Sequence, residues 1–249
     1  MEGLMDSHLD IDSLIAPARI AIALSTLTLV LETARGLRGA EGRDPAGWRL
    51  LALAGAIALP ATALSLAPIG PLVVTLLPLG VFLGLGLALA SHFHAPTRDA
   101  FDALSDGQVR TLLGYRAIFG AFLFAGAALE LLPPSFAWTA GLGDLVVAWL
   151  AHAATGSLGR GGSHGWRLVV HGVGLLDLVQ VVVLAMTVVR PWLAAHAEAG
   201  APVLGPPLVL PWIGVPLMLA LNLHGLRRAI ADKTEPSGSL ERAAAPADA

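Results

Sequence analysis

Apolar residues in this chain run on in long blocks, and the ionisable residues fall between the blocks rather than along one face of them. The clearest block lies between Arg49 and His92, forty-two residues without an ionisable side chain. One membrane crossing takes about 20 residues at about 1.5 Å rise each. The interval therefore predicts two helices, near 50–67 and 71–92, reversed at Pro68, Gly70 and Pro71. The same pattern predicts further spans over 14–34, over 113–132 before Pro133 and Pro134, over 135–155, over 168–189 before Pro191, and over 209–227. The expected fold is all-α: an integral membrane protein with seven transmembrane helices in one domain, 14–231. An acidic tail over 1–13 precedes it, and a tail over 232–249, too poor in large apolar residues to fold, follows it.

Composition agrees with the block pattern. Charged residues make up 13% of the chain, against about a quarter in soluble domains. Thirteen of the fifteen basic residues follow the first, third, fifth and seventh spans, with Arg116 counted among those after span three; only Arg19 and Arg190 fall on the other side. Lys and Arg gather on the cytoplasmic side of short loops, so the N-terminus is expected outside and the C-terminus in the cytoplasm, in a cell inner (plasma) membrane. The first thirteen residues carry Glu2, Asp6, Asp10 and Asp12 and no basic residue, unlike a cleavable signal peptide. A net charge of −3 gives no reason to expect nucleic acid. The absence of Cys excludes disulfides, thiolate metal sites and cysteine nucleophiles.

Between spans three and four, Ser105 and Gln108 have the spacing of a capping box. The preceding stretch, Pro96 to Leu104, is expected to form a short interfacial helix with Phe101 and Leu104 on one face. Small residues, Gly80 and Gly84 on span three and Ala117, Ala121, Ala125 and Ala128 on span four, would let helices approach closely.

Two acids stand inside predicted spans. Asp144 and Asp177 each lie about ten residues, or about 15 Å, from the end of their helix and so share a depth near the midplane. Both occur in the pattern G-L-x-D-L-V, at 141–146 and 174–179. An Asp at a helix centre costs about 2.5–3.5 kcal/mol on the insertion scale, so it is expected to face the bundle and to have a task. If the two carboxylates meet, both negative charges cannot persist in a low dielectric, and the pair would hold or pass a proton, with Gln180 one turn on from Asp177 to hydrogen-bond it. This favours a transport-like or small-ligand-binding protein, proton-linked through Asp144 and Asp177. The plainer alternative is that each Asp ties helices together through hydrogen bonds worth about 0.6–2 kcal/mol.

A second polar layer holds His152, His171 and His224, with His92 and His94, near the predicted cytoplasmic ends. Imidazoles from facing helices can ligate haem or a metal, which makes a membrane redox protein on His152, His171 or His224 the second reading. The alternative is that these rings sit at the interface, hydrogen-bonded to water or headgroups. Residues 141–144, G-L-G-D, resemble the second catalytic motif of the GxGD intramembrane aspartyl proteases, the presenilin and signal-peptide-peptidase group. Span four offers no Tyr-Asp and the downstream Pro-Ala-Leu is missing, so no catalytic role carries over, and an intramembrane aspartyl protease stands as a third reading. A retinal protein is excluded because the single lysine, Lys233, lies beyond the last span. A membrane assembly factor is the remaining reading. Expected partners are the lipid bilayer, a small molecule or proton and, as an option left open, further copies of the chain in a homo-oligomer.

Overall fold

The computed structural model describes residues 11–41, 56, 71–153, 164–199 and 210–234. The predicted span over 50–67, apart from Ala56, lies outside the described residues, as do residues 1–10 and those after Thr234. The described chain is helical throughout: α1 (Ile11–Glu41), α2 (Pro71–Phe93), α3 (Ala95–Asp102), α4 (Asp106–Gly114), α5 (Arg116–Ala128), α6 (Pro134–Ala153), α7 (His164–Leu184), α8 (Arg190–Ala199) and α9 (Val215–Thr234). Two wider π-helical turns, Ala185–Val189 and Leu210–Gly214, join α7 to α8 and lead into α9.

Four stretches among these are long and apolar enough to cross a membrane: Val74–Phe93, Asp106–Ala128, Pro134–Ala153 and Gly165–His196. Their outward faces are apolar rather than charged. Phe82 on α2, Trp138, Leu142 and Trp149 on α6, and Leu176 on α7 are all exposed. The hydroxyls of Thr26, Thr28 and Thr33 on α1 turn back onto carbonyls four residues earlier, so these polar groups are satisfied within an apolar helix.

Contacts along the helices give their directions. Gly114 faces His152 and Gly120 faces Gly141, so α5 and α6 are antiparallel, and theirs is the most extensive contact in the bundle. Trp166 Nε1 donates to Leu150 O, and Asp144 and Asp177 meet further along, so α6 and α7 are antiparallel too. α2 and α9 run parallel: Gly80 lies against Trp212, Gly84 against Pro216, and Ser91 beside His224. The two glycines at four-residue spacing thus make room for the segment leading into α9, where any Cβ would collide.

Element ends follow local chemistry. Ser105 Oγ accepts from Gln108 N and Ser105 N donates to Gln108 Oε1, which closes the capping box that starts α4. Phe101, on the short helix α3, and Leu104, two residues beyond its end, are both buried. α5 ends in a Schellman arrangement, Leu131 N to Gly126 O and Glu130 N to Ala127 O, with Glu130 in the left-handed region at φ 56°.

Three helices outrun their expected ends. α1 reaches Glu41 rather than 34, the helix expected to stop before Pro191 continues to Ala199, and α9 continues to Thr234 rather than 227. The second case has a visible cause. A proline in a helix clashes with the carbonyl four residues earlier. That carbonyl belongs to Thr187 for Pro191 and to Trp212 for Pro216, and each lies inside a π turn. The widened turn absorbs the clash and the helix goes on.

Candidate functional site

Arg116 is the most buried charge described, with 1% of its side chain exposed. It follows Tyr115, where α4 passes into α5 through a residue with helical dihedrals and tight i→i+3 bonds, so the two pieces form one stretch from Asp106 to Ala128. Ten residues in, Arg116 lies about 15 Å from the Asp106 end. The expectation that it belongs to a cytoplasmic loop is therefore corrected: it sits inside the bundle.

Its guanidinium is held from two helices. Nε donates to Asp144 Oδ1 on α6 at 2.7 Å, Nη2 donates to Asp177 Oδ2 on α7, and Nη1 reaches the carbonyl of Gly174 at 3.4 Å. Glycines make this approach geometrically feasible. A Cβ on Gly120 would stand 2.7 Å from the carbonyl of Gly141, and a Cβ on Gly143 would collide with Asp177 Oδ1. The two G-L-x-D segments, on antiparallel helices, thus deliver their acids to neighbouring donors, Nε and Nη2, of one guanidinium. An arginine fork suits this because its donors point in several fixed directions, which a lysine cannot match.

With both carboxylates ionised, the two acids and one guanidinium would carry a net charge of −1, which one proton cancels. Asp177 retains 8% side-chain exposure and Asp144 13%. Asp144 also lines a partly open cavity whose other lining residues are all apolar. Phe119, Phe122, Val181 and Met218 form part of the wall, and both π turns contribute to it. The triad therefore presents one carboxylate, and no other ionisable group, to an apolar space.

The structure places Asp144 and Asp177 on one guanidinium, that of Arg116. Gln180 does not join them. It is exposed, and among the described residues no hydrogen bond links it to either acid. The buried stripe of α7 runs through Val170, His171, Gly174, Asp177 and Leu178, and Gln180 falls beyond its edge. The three histidines do not converge either. His152 is exposed on α6, its Nδ1 bonded to Ala148 O. His171 is buried, its Nδ1 3.3 Å from Asn222 Oδ1. His224 is buried and stacked on Phe101 with ring centroids 4.6 Å apart, its Nε2 3.5 Å from Ser91 Oγ. Among the described residues no group of three His, Cys, Asp or Glu is placed to hold a metal ion.

The residue that sequence reasoning missed was Arg116, and a signal for it existed. It lies within the span predicted at 113–132, and two acids expected at the same depth lacked a counter-charge.

Residues 71–230 match a family described as a domain of unknown function, DUF8737. The chain belongs to this family. The matched region starts with α2 and ends within α9, so it contains Arg116, Asp144, Asp177 and both π turns, while α1 precedes it. No curated protein and no solved structure matches the chain.

Proposed function

We propose that this DUF8737 protein is a multi-pass protein of the cell inner membrane, with seven spans and its N-terminus outside, that binds a small, mostly apolar molecule carrying a cationic or hydrogen-bond-donating group. The observation that carries the proposal is the cavity in which Asp144 is the single ionisable lining group. Apolar walls with one well-placed polar group are the usual make-up of a small-molecule site. The net negative charge of the triad supplies the selectivity: a proton or a ligand cation at Asp144 balances it, so ligand and proton compete for one place. Movement of the ligand through the bundle, driven by that exchange, is the fuller form of the same reading. The π turns on the cavity wall are where the two helices concerned can change pitch at least cost.

A sign-reversed pair of probes tests this. 1-Aminoadamantane should bind the purified protein and release about one proton per site, seen as a buffer-dependent heat, whereas adamantane-1-carboxylate should not bind. Asp144→Asn should abolish amine binding. Because that change also disturbs the triad, Ala185→Phe, which fills the cavity and leaves the triad alone, should abolish it as well. Equal binding of both probes, or amine binding that survives both substitutions, overturns the proposal.

A further inference from the structure

A second cleft lies at the end of the bundle where α4, α7 and α9 come together. It is open to solvent, and its lining includes Arg110, Arg167 and Arg228 with a single carboxylate, Asp106. Asp106 is divided between two of these cations. Its Oδ2 is 3.4 Å from Arg167 Nε and its Oδ1 3.5 Å from Arg228 Nη2. Both distances are longer than about 2.7–2.9 Å, the length of a strong charge-assisted bond. Arg228 is also anchored by its Nη1, which donates to Leu104 O at 2.6 Å. Arg110 has no ion-pair or hydrogen-bond partner among the described residues. Three guanidinium groups thus line the cleft with one carboxylate, and the rest of the wall is largely apolar, with Val109, Leu113, Trp166 and Val170.

We infer that this cleft is a binding site for a phosphate-type anion, and that its apolar wall fits the anion when it is the headgroup of an acidic phospholipid. Guanidinium forks match phosphate oxygens in pairs, and one bound anion offsets the charge of Arg110, which no described group pairs. Basic pockets between helices at the cytoplasmic face take acidic headgroups in just this way. In this cleft an apolar wall stands beside the cations, as an amphiphile requires. The inference is independent of the cavity at Asp144, which lies on other residues.

The test uses the full chain in neutral detergent, with dioleoylphosphatidylglycerol, dioleoylphosphatidylcholine and inorganic phosphate as separate probes. Adduct counting by native mass spectrometry and the melting temperature are the readouts. Phosphatidylglycerol should bind and raise the melting temperature, while phosphatidylcholine should do neither. Arg110→Gln should bind at least about tenfold more weakly, as expected for loss of a charge-assisted contact. This variant should melt normally without lipid, because Arg110 holds no other group. Saturation by inorganic phosphate alone identifies the site as one for a free anion, and saturation by phosphatidylglycerol alone as one for a lipid. Absence of both, or phosphatidylglycerol binding that is unchanged in Arg110→Gln and Arg110→Glu, overturns the inference.

Discussion

The bundle holds two sets of ion pairs that differ in little but their surroundings. At its centre, one guanidinium serves two carboxylates, and the three side chains are between 1% and 13% exposed. At its basic end, Arg227 pairs with Asp102, Arg98 with Asp99, and Arg167 and Arg228 share Asp106, with side chains between 26% and 63% exposed. The inner set is short and enclosed by glycines; most of the outer set is long and wet. Water screens the outer charges and can replace any partner that is lost, so a single pair there is worth about 0–1 kcal/mol. Inside, nothing can replace a lost partner, and the remaining charge is stranded. The outer set can therefore lend its cations to a ligand, whereas the inner set must stay assembled and offers only the exposed edge of Asp144.

The sharpest way to break this contrast is Arg116→Met. It should cost about 3–5 kcal/mol of stability, measured by denaturant unfolding in detergent, because two carboxylates are left facing each other. Adding Asp144→Asn and Asp177→Asn to Arg116→Met should recover most of the loss. A triple variant as unstable as the single one would mean that packing, not charge, holds the centre.

Gly143→Ala should cost less, about 1–3 kcal/mol, by pushing Asp177 away from the guanidinium. In an Asp177→Ala background the same glycine change should cost little, since nothing remains for the new methyl to strike, and full additivity would refute the contact. The smallest effect is expected at the basic end. Asp106→Asn should cost under about 1 kcal/mol, and the difference should shrink further at high salt. A loss as large as that of Arg116→Met would erase the distinction between the two regions.

The parts of this architecture that were legible in the chain are those set by neighbouring residues. The capping box at Ser105, the short helix carrying Phe101, and the depth shared by Asp144 and Asp177 all follow from spacing within a few turns. Arg116 was misread because the charge asymmetry assigned it to a loop by its place near a span end, before its burial could be known. Gln180 was misread because proximity along a helix says little about which side of the helix faces the bundle. Pro191 was taken as a stop, and the π turn that lets the helix pass it appears only when the backbone is seen.

Block length and the position of charges alone dictated an apolar, helical chain with two acids at one depth, because an apolar segment satisfies its backbone hydrogen bonds within itself and its length is a local property. Which residues those acids meet was decided by tertiary packing. The rotation of each helix about its axis, and the glycines that let α5, α6 and α7 close around one guanidinium, depend on partners distant in the chain. For that reason an arginine that reads as a loop residue became the centre of the fold.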